Sequence, residues 1–164
     1  MKTRTLVFLL LLFACAKTQE SSAPTTTSAA APEPPKQTWG TTGPCSWLTD
    51  AEVSEALGQP SKSTVDTENN NCKVDPADKT GTVKLFYRVA NNTGAYSFNK
   101  AFKDAEDVTG IGDKAVWSGS SLAVVKGTRC LNVVLSPADE KKKPQKSEMK
   151  AKALALAQKI VERM

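Results

Sequence analysis

The chain contains no histidine. That excludes every mechanism needing an imidazole, including Ser-His-Asp triads, Cys-His pairs, His-ligated zinc and His-ligated haem. Aromatic residues make up 6% of its 164 residues, and none interleaves with the C-terminal lysines, so the stacking platform of a nucleic-acid binder is missing. Long apolar runs are scarce: Leu6 to Phe13 is about half the ~20 residues a membrane-spanning helix needs. The 40% hydrophobic share is nevertheless ordinary for a folded protein, and the length suits one domain with residues left for tails.

Lys2 and Arg4 precede that apolar run as a short positive segment, and together they read as an export signal over residues 1–14. The run ends in Leu12-Phe13-Ala14-Cys15, which resembles the lipobox of bacterial lipoproteins, with bulky Phe13 where a small residue is usual. The resemblance implies that the Cys15 thiol is acylated and becomes the new N-terminus, holding the protein on its membrane. It places the protein in the bacterial cell envelope. If the host has two membranes, Ala16 in place of a retaining Asp implies the outer one, facing periplasm or surface.

Residues 15–44 combine the lipidation site with a segment rich in Ala, Ser, Thr and Pro, whose large apolar residue is Trp39. Such a composition cannot offset its ordering entropy by burial, so a disordered tether is expected, reaching roughly 30 Å as a coil. Residues 45–164 then form a single domain. Without residues 1–14 the chain keeps 20 basic and 17 acidic side chains, a net +3.

Local patterns supply the elements. Thr49 and Glu52 have capping-box spacing, Val53, Ala56 and Leu57 give a short helix its apolar side, and Gly58 stops it. A strand around Val65, a turn at Asn69-Asn70-Asn71 and a strand at Cys72–Val74 follow. Thr82 to Val89 alternates, with Val83, Leu85, Tyr87 and Val89 on one face and Lys84, Phe86 and Arg88 on the other. Ala95, Phe98, Phe102 and Ala105 recur at helical spacing, predicting a helix over about 95–106. Ala115–Trp117, Leu122–Val125 and Leu131–Leu135 read as strands joined by turns at Ser118–Ser121 and Gly127-Thr128. Pro144 opens a long helix with Met149, Ala153, Leu156, Ile160 and Met164 in one stripe. Helix, strands, helix, strands, helix, with hairpin-length connections, predict an α+β fold. Its antiparallel sheet has about five or six strands, packed with N-terminal, middle and C-terminal helices.

The opening Cys45-x-x-Leu48-Thr49-x-x-Glu52, then Leu57-Gly58, Cys72 and Gly110-Ile111-Gly112-Asp113-Lys114-Ala115, is similar to small bacterial envelope lipoproteins of unknown function. Trp47 stands where that family usually has Leu. The resemblance spans most of 45–164 and carries over no catalytic residues. A second resemblance, to the sandwich of photosystem-associated PsbP and nuclear-transport Mog proteins, concerns the fold alone. Three cysteines remain in the exported domain, allowing three single bridges. The pairing favoured is Cys45–Cys72, since each lies at an element's edge and the resemblance pairs them. Cys130 is then left over, as a buried small hydrophobe or a reactive thiol.

Other constellations have a plainer reading beside the functional one. Gly110-x-Gly112 lacks the strand before and the Lys after that a phosphate loop needs, so a turn with positive φ is expected. Asp104, Glu106, Asp107 and Asp113 match no EF-hand spacing and read as a solvated acidic loop rather than a Ca²⁺ site. Lys141-Lys142-Lys143 with Lys146, Lys150 and Lys152 could meet anionic lipid or cell-wall polymer, or simply solubilise a helix start.

No nucleophile has a base beside it. The expectation is a non-enzymatic protein without cofactor or metal, bound to a membrane through Cys15, with an envelope protein partner and no nucleic acid. Two alternatives stay open. One is a carrier of a small apolar ligand, with a cavity lined by Phe86, Phe98, Trp117 and Leu131. The other is an inhibitor of a secreted enzyme.

Overall fold

The computed structural model describes residues 43–141 and 143–164. The expected export signal, Cys15, most of the expected tether with Trp39, and Lys142 lie outside the described residues.

A 3₁₀ turn, Pro44–Trp47, leads into helix α1, Asp50–Leu57. The capping box forms as the spacing predicts. Glu52 N–H donates to Thr49 Oγ1 at 3.3 Å, while Thr49 N–H donates to Glu52 Oε2 at 2.8 Å. Gly58 closes the helix in the left-handed region.

Strands β1 (Ser61–Asp66), β2 (Asn71–Pro76) and β3 (Val83–Ala90) form one antiparallel meander. Helix α2 (Gly94–Lys100) then crosses to a second meander of β4 (Glu106–Val108), β5 (Lys114–Ser118), β6 (Ser121–Lys126) and β7 (Arg129–Pro137). β7 pairs with β3, so the two meanders fuse into one seven-stranded antiparallel sheet in the order β1-β2-β3-β7-β6-β5-β4. Helix α3, Lys146–Val161, begins two residues after Pro144.

The fold is α+β, with seven strands where the sequence suggests five or six. The extra strand comes from a helix that stops early. Residues 95–106 have helical spacing, yet α2 ends at Lys100, because the following segment finds partners elsewhere. The Asp104 carboxylate accepts from Gly119 N–H at 2.9 Å and Ser118 Oγ at 3.1 Å, and Glu106–Val108 pairs with β5. Tertiary pairing thus overrides local periodicity.

One face of the sheet meets α1 and α3. Val74, Leu85, Tyr87, Leu131, Trp117 and Leu122 are fully buried there against Leu57, Leu156 and Ile160. The disulfide Cys45–Cys72 ties the 3₁₀ turn to β2 beneath α1. At the outer edge, Ser54 Oγ accepts from Ser61 N–H (3.0 Å) and Asp50 Oδ1 from Ser63 N–H (2.8 Å), so α1 occupies donors that an edge strand would otherwise present. At the end of α3, Lys126 Nζ donates to the Val161 carbonyl at 2.6 Å and Arg163 clasps Glu52 and the Trp47 carbonyl.

Candidate functional site

Among the described residues, only half of the sheet's second face is covered by a helix. Because side chains alternate along each strand, the ladder register assigns every outward position. Over β5, β6 and the start of β7, α2 lays Ala95 and Tyr96 on Val116, Ala123, Val125 and Cys130. The remaining half, on β1-β2-β3-β7, carries no helix among the described residues.

Its rows follow from strand pairing. Thr64, Lys73, Phe86 and Val134 lie across the strands in one row, with Ser121 next on β6. Arg88 pairs with Asn132 in the adjacent row, beside Asn71, and Lys62, Asp75 and Lys84 line up on the other side. Lys62, Lys73, Lys84 and Arg88 face two carboxylates. Asp66 is engaged in its own turn by Asn69, and Asp75 is shared by Lys73 at 3.1 Å and Lys84 at 3.9 Å. The exposed Arg88 guanidinium has no ion pair or hydrogen bond among the described residues. This half therefore carries a positive excess around a strip of Phe86 and Val134.

Where the open half meets α2 there is a groove of about 360 Å³ between Phe98 and Phe102 and the β5–β6 turn, floored by Ser121, Asn132 and Val134. The two rings meet edge to face at 5.0 Å, with Phe98 66% and Phe102 47% exposed. The two rings share the spacing of one stripe of a longer helix, but α2 ends at Lys100 between them and both stand out into solvent. Asn99 of α2 is buried instead. Its Nδ2 donates to Ser121 Oγ at 2.8 Å, and Ser121 Oγ donates to Asn132 Oδ1 at 2.9 Å. A shallower hollow of about 170 Å³ continues over Phe86, Arg88 and Asn71 and shares Asn132 and Val134 with the first.

The sites suggested by sequence distribute as follows. Trp117 and Leu131 are fully buried on the core face, whereas Phe86 and Phe98 lie on the opposite face, so these four do not line one cavity. Gly110 and Gly112 sit at φ +81° and +60° in a turn, and a Cβ on Gly112 would lie 2.5 Å from the Val125 carbonyl oxygen.

The four acidic residues serve four separate contacts. Asp104 holds the β5–β6 turn and Lys146 (3.3 Å), Glu106 pairs with Lys150, Asp107 with Lys100, and Asp113 accepts from Gly127 N–H at 2.7 Å. These pairs also break up the C-terminal lysines as a basic patch. Lys152 is bound to Glu148 one turn back, at 2.7 Å, which leaves Lys141 and Lys143 exposed among those described. Cys130 is buried under α2, and burial pushes its thiol above the ordinary cysteine value.

The groove residues Asn99 and Asn132, and the place of Arg88 beside them, were not singled out from the sequence. One signal was available: Phe86 lies between Lys84 and Arg88 on the polar side of a cleanly alternating strand. No family model, no curated protein and no solved structure matches this chain.

Proposed function

We propose that this protein is a lipid-anchored component of the bacterial cell envelope whose folded part is a non-catalytic module that docks a protein partner on the open half of its sheet. The observation that carries the reading is the exposed Phe98–Phe102 pair at the rim of a polar sheet face that no described helix covers. Two neighbouring exposed phenylalanines beside a shaped groove have the character of an interface core, with lysines and amides as its polar rim. The lipobox resemblance at Leu12–Cys15 supports the anchor, and the tether composition supports a domain held clear of the headgroups. The absence of histidine and the paired state of the loop carboxylates support a module that binds rather than reacts.

The test is site-specific photocrosslinking in the native host. A photoreactive residue at Phe98 or Phe102 should yield one discrete adduct, and the same residue at Ala151, exposed on α3, should yield none. Equal adducts at all three positions, or none at the groove positions, would sink the reading. A Cys15→Ser chain should leave the membrane fraction; retention there would overturn the anchor.

A further inference from the structure

We propose that the open face takes an acidic peptide segment of its partner, with a carboxylate held by Arg88 and Asn132 and an apolar side chain in the Phe98–Phe102 groove. This rests on the reading of the face as a partner-binding surface and names the chemistry it accepts. The argument starts from charge. Lys73 and Lys84 share Asp75, and Arg88 next to them is left without a counter-ion among the described residues. A guanidinium is a planar fork suited to a carboxylate, and it is weakly hydrated, so it gives up water for that partner more readily than a lysine does.

The amide chain adds direction. Asn99 donates to Ser121 and Ser121 to Asn132 Oδ1, so the Asn132 side chain is oriented by its oxygen. Its Nδ2 group, on the other side of the amide, keeps two donors that no described residue takes. Asn132 stands directly across from Arg88 in the ladder, so the two present donors to one acceptor group.

The groove supplies the second half of the specificity. Its floor residue Ser121 lies on β6, two strands from Arg88 on β3. Ser121 lies level with Phe86, two residues along β3 from Arg88, so at about 4.8 Å per strand and about 3.4 Å per residue the separation is ~12 Å, the length of about four residues of extended chain. The recognised segment therefore carries an apolar residue and an Asp or Glu about four positions apart, an even spacing that turns both side chains of an extended chain to the same side. An anionic glycan would satisfy Arg88 but offers no apolar side chain to the groove, and a lipid surface would call on a wide lysine field rather than one fork beside a bounded slot.

The experiment uses the full-length chain in detergent micelles and fluorescence anisotropy. The probes are labelled nonapeptides in a Gly/Ser background, with one Leu or Phe and one Asp spaced one to five positions apart, each matched by an Asn analogue. The four-residue spacing should bind best. The Asn analogue, Arg88→Gln and the Phe98→Ala/Phe102→Ala pair should each weaken binding about tenfold or more, as loss of a charged hydrogen bond or an anchor does. Equal affinity for Asp and Asn peptides, or an unchanged Arg88→Gln protein, would overturn the proposal. So would tighter Arg88-dependent binding to phosphatidylglycerol vesicles than to any peptide. Crosslinks at Phe98 combined with failure of every peptide would defeat this inference alone, whereas absent crosslinks would defeat the reading beneath it.

Discussion

Reducing the Cys45–Cys72 disulfide should remove about 3.5 kcal/mol of stability, chiefly by freeing the unfolded chain. The bridge closes a loop with a sequence separation of 27. In the chain-entropy account a loop of that size lowers denatured-state entropy by roughly 12 cal/mol/K, which is about 3.5 kcal/mol at 25 °C. For a domain of about 120 residues this corresponds to a melting-temperature drop of roughly 14 °C. The native state should change little. Cys72 is fully buried on β2, and the 3₁₀ turn keeps the Trp47 carbonyl's bond to Arg163 when the sulfurs separate.

The assay is urea unfolding of the oxidised protein and of the same protein in phosphine reductant, with reduction verified by intact mass. The midpoint should fall by about 2 M, and the m-value should rise because the opened denatured chain exposes more surface. Comparing redox states of one sequence avoids the cavity that Cys72→Ala would leave. A difference below about 1 kcal/mol with the bond demonstrably reduced would refute the loop-entropy argument for this chain. A large loss with an unchanged m-value and an altered near-ultraviolet spectrum would place the effect in native packing instead.

Three further outcomes follow from individual contacts. Arg163 beside Glu52, helped by the Thr49 cap, holds that carboxyl down to about 2. The Glu52–Arg163 contribution should therefore be whole above pH 4.5 and fade as pH falls toward 2. Glu52→Gln should cost about 2 kcal/mol at pH 7 and almost nothing near pH 2 by urea titration; a pH-independent difference would contradict it. Gly112→Ala, at φ +60° with the Val125 carbonyl in the way, should cost about 3 kcal/mol by thermal melting, against about 1 for Gly119→Ala, at φ +58° with open space. Similar losses for the two would refute the steric argument. Gln59→Leu should cost about 3 kcal/mol in chemical denaturation. The buried amide donates to the Val83 carbonyl (2.6 Å) and accepts from Thr82 N–H (2.8 Å), so leucine strands both; a loss under about 0.5 would refute the bridging role.

Much of the fold was legible because the governing signals are local. Thr49 and Glu52 lie three residues apart and need only each other to cap α1. The alternation from Val83 to Val89 assigns one side of β3 to the core, and Gly58, Gly119 and Gly127 mark places where the backbone must adopt positive φ. The stripe Ala153, Leu156 and Ile160 told which side of α3 would be buried. The candidate site was much less legible. Phe98 and Phe102 carry the same spacing as a buried stripe, and nothing within ten residues says that Asp104 will bind Gly119 and cut the helix short.

By itself, then, the sequence determined most of the elements, the mixed α+β class and the exclusion of imidazole chemistry, since composition and short-range periodicity depend on neighbours along the chain. Only the tertiary structure decided that β7 returns to lie beside β3, which places Arg88 opposite Asn132 on the half of one face that no described helix covers. That outcome rests on pairings between residues forty or more positions apart. Their stability is collective, belonging to the assembled sheet rather than to any segment of it, so no local pattern could announce it.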